Sequence, residues 1–240
     1  MSPPLVRFGS FSESFEITRR SCHSTVLLSM NLTEFQPKTN RLEAFSDGVF
    51  AIIVTIMVFD IKLPALGSHP SLEELRNAFA AVAPRFFSFL ISFLVVAVFW
   101  VHHHQLFHSI ECTDRKLLWH NNILLLFLSL IPATAAFLGN SPRLPIAVAL
   151  YGGVLLLSSL SALLMYRYAA LGSGLMDARI QISERKRTLR KYWIAPMLYA
   201  LGIIVAWPWP FVSLAIYVVI LIAFLLPERL WMLTGPEASN

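Results

Sequence analysis

The run from Arg41 to Lys62, RLEAFSDGVFAIIVTIMVFDIK, constrains this chain more than any other stretch. A helix needs ~20 mostly apolar residues to cross a bilayer, and this run is long enough. It nevertheless opens on Arg41, Glu43, Ser46 and Asp47. Ionisable groups at the edge of a span are costly unless they are paired or face water, so a purely anchoring helix has no use for them. Asn40 followed by Glu43 has the spacing of a capping box, which predicts a helix start there and puts the polar cluster in its first turns. Two accounts stay open from the residues alone. One is an interfacial start, with Asp47 near the positive end of the helix dipole and Arg41 reaching for headgroups. The other is a functional polar cluster.

Five further apolar runs follow: Phe86–Phe107, Leu117–Leu138, Leu144–Tyr168, Tyr192–Trp207 and Phe211–Leu226. The second run is entered through Ser71-Leu-Glu-Glu74, a capping box that predicts a short amphipathic helix ahead of the span. The last two runs are short for a ~30 Å hydrocarbon core. A re-entrant hairpin is one reading of them. The prolines of Trp207-Pro-Trp-Pro210 mark a turn, however, and its tryptophans suit an interface, so six spans is the preferred count. At 56% hydrophobic and 14% charged residues, a soluble domain is excluded for want of charged surface. The expected fold class is therefore an all-α membrane protein.

Six spans put both termini on the side of the second–third and fourth–fifth loops. Fifteen of the 19 Lys and Arg fall there, and only Lys62, Arg76, Arg85 and Arg143 fall opposite. That bias predicts cytoplasmic termini in a multi-pass protein of the cell membrane. It also explains the net charge of +5 without nucleic acid as a partner. The cluster Arg185-Lys-Arg-Thr-Leu-Arg-Lys191 reads as a topology anchor that attracts anionic lipid. Residues 1–37 are expected to be a disordered cytoplasmic tail, within which Met30 is an alternative start. Residues 38–230 form the membrane domain, and 231–240 a short C-terminal tail. Cys22 and Cys112 lie far apart, in segments of different character, and predict neither a disulfide framework nor a metal pair.

Three stretches carry chemistry. On the first helix Ile52, Thr55, Ile56 and Phe59 recur at helical spacing and form one stripe, which on its own reads as packing or lipid contact. On the second, Trp100-Val-His-His-His-Gln-Leu-Phe107 ends the span. His104 and His108 share a face there, but the chain lacks the further His boxes of a di-iron oxidase and the fourth ligand of a structural zinc. On the third lies Leu117-Leu-Trp119-His120-Asn121-Asn122, where an intramembrane Asn seeks a partner across a helix interface.

Together these three stretches resemble the transmembrane protein 175 family of potassium channels. Arg41-x-x-x-Phe45-Ser46-Asp47 with Gly48-Val49-Phe50-Ala51-Ile52 is similar to its opening signature, and Trp100-x-x-His103-His104-x-Leu106-Phe107 to its second motif. The likeness spans roughly residues 38 to 230. It implies a homotetramer with the first helix around a central pore, closed by bulky aliphatic side chains. By position, the main constriction is Ile52, the pore-lining hydroxyl is Thr55, and Ile56 and Phe59 form outer layers. Relatives carry Leu near position 59, a departure at the outermost layer. The resemblance also implies a buried network holding the Phe-Ser-Asp segment. His103 is the first choice for that contact and His104 the second, with either Asn121 or Asn122 completing it.

The implied function is a leak-like potassium-permeable channel with modest selectivity over sodium, using no cofactor and no metal and performing no catalysis. Its partners are potassium ions, membrane lipid and three further copies of the chain. No Thr-Val-Gly-Tyr-Gly filter loop is present, and Tyr151-Gly152-Gly153 lies inside a span. The rival reading from a different class is a proton-coupled secondary transporter using Asp47 and His103 as a relay. Against it, no pair of Gly/Pro-broken helices repeats across two halves.

Overall fold

Long apolar runs leave the backbone no water to bond, so within a membrane they close their hydrogen bonds as helices. The computed structural model describes residues 39–62 and 64–226, and these are helical almost throughout. The expected tails over 1–37 and 231–240, and the alternative start at Met30, lie outside the described residues.

Helix α1 covers Thr39–Ile56 and tightens into a 3₁₀ turn at Met57–Asp60. Asn40 is already inside it, so the expected Asn40–Glu43 capping box does not form its start. Helix α2 runs unbroken from Leu72 to His108, 37 residues, with Pro84 inside. Its start is the predicted box: Glu74 N–H donates to Ser71 Oγ at 3.2 Å and Ser71 N–H to Glu74 Oε2 at 2.8 Å. The expected separation into a short amphipathic helix and a span is not observed. Proline is tolerated within membrane helices where the surroundings accommodate the lost bond, and the amphipathic stretch simply continues into the span. At 1.5 Å per residue α2 is about 55 Å long, well beyond a ~30 Å hydrocarbon core.

Helix α3, Arg115–Leu128, is capped by Asp114, whose Oδ1 accepts from Leu117 N–H at 2.7 Å. Helix α4, Ile131–Asn140, follows after a break at Ser129-Leu130. Pro132 has no N–H to give the Leu128 carbonyl, which explains why the run expected as one helix is two. Helix α5, Pro145–Arg167, ends in a widened turn at Tyr168–Gly172 and is the central element, packed against α3, α4 and two later helices. Those are α7, Ile194–Ala206, and α8, Pro210–Leu225; the basic helix α6, Ile182–Tyr192, leads into α7.

Among the described residues, five stretches are long and apolar enough to cross a membrane: Thr39–Asp60, Leu72–His108, Arg115–Asn140, Pro145–Gly172 and Ile182–Ala206. Helix α8 is apolar but has only 16 residues, about 24 Å. It folds back on α7 through Trp207-Pro208-Trp209, where Trp209 N–H donates to Val205 O at 3.0 Å.

Glycines decide how tightly this last pair seats on α5. The Tyr217 ring, 1% exposed, lies against Gly152 of α5 and Gly202 of α7 with no room for a methyl group at either. In the first half of α2, Arg85 Nε donates to Asn140 Oδ1 at 2.7 Å, and Gly139 lets the two backbones approach. Of the two cysteines, Cys112 is described and Cys22 lies outside the described residues.

Candidate functional site: the clamped face and the open face of α1

Helix α1 has two opposite faces. Leu42, Ser46, Phe50, Ile53 and Met57, spaced by three or four residues, are buried against the rest of the subunit. Phe45, Ile52, Ile56 and Phe59 on the other side are 56%, 57%, 48% and 78% exposed, and Thr55 is exposed between them. The stripe read from spacing is thus the face this subunit does not cover. Thr55 does not extend its hydroxyl outward as a donor. It donates to its own helix, to Ala51 O at 2.9 Å and Ile52 O at 3.0 Å.

The buried face is polar at one level. Ser46, His103 and Asn121, from α1, α2 and α3, are 0%, 3% and 0% exposed. One orientation uses each hydrogen once. His103 Nε2–H donates to Asn121 Oδ1 (2.8 Å), Asn121 Nδ2–H to Ser46 Oγ (3.0 Å), and the Ser46 hydroxyl to Leu42 O (2.9 Å). That assignment has His103 donate through its Nε2–H. The ring is also held edge-on to Phe50, with centroids 5.4 Å apart, and stacked on Phe107 at 4.4 Å. A buried hydrogen-bonded network of this kind fixes a helix in rotation as well as in position.

Asp47 belongs to a separate contact. It is exposed and accepts from Trp100 Nε1–H at 2.9 Å, and His104 stacks on the Trp100 ring with centroids 5.8 Å apart. So the expected single network resolves into two. His103 reaches the Phe-Ser-Asp segment through Asn121 and Ser46 and makes no bond to Asp47. Asn121 is the member from α3, while Asn122 is exposed. His104 stays outside the buried set. Arg41 is exposed, with no hydrogen-bond or ion-pair partner among the described residues. The buried stripe itself was missed in the sequence, although its spacing was there to be seen.

Asn121 bridges two partners, and the partners differ in what they lose without it. Ser46 keeps its bond to Leu42 O, whereas His103 is left buried with Nε2–H unpaired. Leaving a buried donor unsatisfied costs about 1–3 kcal/mol. Asn121→Ala is therefore expected to lower stability by about 2 kcal/mol, and Ser46→Ala by less than about 1 kcal/mol. Thermal unfolding of both variants in the same detergent checks the order; a larger loss for Ser46→Ala would contradict the donor chain described above.

Among the described residues no three His, Cys, Asp or Glu side chains cluster to share a metal ion. The arrangement can orient a helix and present its uncovered face to something outside the subunit.

The chain's relatives are consistent in kind. A family model described as "Endosomal/lysosomal potassium channel TMEM175" matches residues 41–132, which hold all three polar stretches. A potassium channel of Chryseobacterium sp. (strain P1-3) is 33% identical over 192 residues, covering 79% of this chain and 93% of that one. A potassium channel of Chamaesiphon minutus is 32% identical over 181 residues, covering 72% and 88%. The crystal structure of a lysosomal potassium-selective channel TMEM175 homolog from Chamaesiphon minutus superposes with a TM-score of 0.67 at 29% identity, covering 78% and 95%. With its helical architecture and its polar stretches matched over nearly the full length of such relatives, the chain belongs to the TMEM175 family of channels.

Proposed function

We propose that the chain is one subunit of a potassium-permeable, leak-like channel, a homotetramer with six spans per copy and α1 around the central axis. The observation that carries this reading is the division of α1: one face clamped by a buried polar network, the other a stripe with no cover from its own subunit. A stripe of Ile52, Thr55, Ile56 and Phe59 repeated by symmetry would make a narrow apolar neck. Hydrophobic constrictions gate by dewetting. Potassium holds its hydration shell less tightly than sodium, so a neck that strips part of that shell penalises sodium more. The selectivity of such a neck is modest.

In this reading Ile52 is the principal constriction, Ile56 and Phe59 are outer layers, and Thr55 is the pore-facing hydroxyl position. Ser46, His103 and Asn121 set the rotation of α1, and the Asp47–Trp100 pair steadies its end nearer the basic loops. Arg41, Phe45 and His104 stand around that end. Both termini are cytoplasmic in a cell-membrane protein, as the basic loops favour. In this scheme α8 is the sixth span despite its length, helped by the tryptophans at its turn. Asp47 and His103 engage different partners, so they do not form the direct relay that a proton-coupled transporter would need.

The test is the reversal potential of purified protein in planar bilayers under opposed potassium and sodium gradients. Unitary currents reversing on the potassium side are expected. Saturable flux without unitary currents would overturn the channel reading.

A further inference from the structure

Helix α6 is a basic helix held rigidly by one face. Arg185 donates from Nε to Ile180 O (3.0 Å), from one terminal nitrogen to Ala170 O (3.2 Å) and from the other to Asp177 O (2.7 Å). Tyr192 stacks on Tyr166 with centroids 4.7 Å apart, and Leu189 packs on the core. The loop that α6 follows is itself pinned: Glu111 N–H donates to Leu175 O and Asp177 N–H to Ser109 O, both at 3.0 Å.

With that face committed, the other carries Lys186, Arg187 and Arg190. At 100° per residue they share an arc of about 100°, opposite Arg185, Leu189 and Tyr192. All three are exposed, with no hydrogen-bond or ion-pair partner among the described residues. Glu184 lies beyond the edge of the arc and does not break it. Arg185, which by composition belongs to the same cluster, has a different task.

The place of this face in the membrane selects its partner. About one turn past Arg190, Trp193 and Ile194 are 45% and 44% exposed, and the apolar helix α7 begins. An exposed tryptophan beside exposed aliphatic surface belongs at the boundary of hydrocarbon and headgroups. The cations therefore sit at headgroup level, not out in solution. We propose that Lys186, Arg187 and Arg190 form a binding face for the phosphate headgroups of anionic phospholipid. The face is independent of what the channel conducts.

The test uses the full chain in neutral detergent, offered an equimolar mixture of dioleoyl phosphatidylglycerol and dioleoyl phosphatidylcholine, with retained lipid counted by native mass spectrometry. A basic residue near an anionic surface is worth about fivefold in binding, so three contribute up to about 100-fold. The wild type is expected to retain phosphatidylglycerol preferentially. The triple variant Lys186→Gln, Arg187→Gln, Arg190→Gln is expected to lose at least about tenfold of that preference. Its unfolding temperature should stay unchanged, because the three side chains have no hydrogen-bond or ion-pair partners among the described residues. Arg76→Gln with Arg143→Gln, at the opposite end, should keep the wild-type preference. A triple variant with undiminished preference overturns the proposal. So does displacement of the lipid by equimolar glycerol 3-phosphate, which would make the face a site for soluble anions.

Discussion

Replacing Ile52 with Asn is expected to collapse the potassium preference, moving the reversal potential under opposed potassium and sodium gradients close to zero while currents persist or grow. The argument begins with exposure. Ile52 is 57% exposed in the subunit, on the face of α1 opposite the buried Ser46 and Ile53. Substitution there disturbs little packing among the described residues. A side-chain amide in a narrow neck would hold water through hydrogen bonds, removing the dewetting barrier and with it the partial dehydration that disfavours sodium. The same change at Ile53, which is 3% exposed, should instead destabilise the fold, because it buries an amide among apolar neighbours. The pair of variants separates the two faces. Unchanged selectivity in a folded, conducting Ile52→Asn channel would remove Ile52 from the neck.

The largest expected effects on stability lie away from the α1 stripe, where Tyr217 meets Gly202. A methyl group at Gly202 would meet Tyr217 Cε1 at 2.3 Å and two further ring atoms at 3.1 and 3.2 Å. The ring has little freedom to yield. It is hemmed in by Tyr151 and Tyr199, with centroids 6.2 and 5.7 Å away, and its hydroxyl end already lies on Gly152. Overpacking a filled core costs about 1–3 kcal/mol, and Gly202→Ala should reach the top of that range. Tyr217→Ala, which opens a cavity, costs about 3–5 kcal/mol alone. Adding Gly202→Ala to it should cost almost nothing further, because the clashing ring is gone. Unfolding of the two single variants and the double variant measures this coupling, and additive losses would show that the ring does not set the fit.

Legibility followed the physical origin of each feature. Apolar runs are local properties, and α5 and the helices around it arose close to where the runs placed them. Breaks inside runs were harder to read. Pro132 divides α3 from α4, yet Pro84 leaves α2 whole, because the effect of a proline depends on whether its neighbours accommodate the missing bond. The candidate site shows the same limit. Spacing grouped Ile52, Thr55, Ile56 and Phe59 on one face, since 3.6 residues per turn is a property of any helix. It did not say whether that face was covered.

By itself, then, the sequence determined that this chain is a helical membrane protein, and its three polar stretches marked the family. These follow from hydropathy, helical period and local residue order. Only the tertiary structure decided that Asn121 and not Asn122 bridges Ser46 to His103, that Asp47 pairs with Trp100, and that Arg185 leaves its basic neighbours to serve the loop carbonyls. Each depends on which side of one helix meets another. Adjacent residues on a helix point about 100° apart, so the choice between neighbours is made by packing and not by order along the chain.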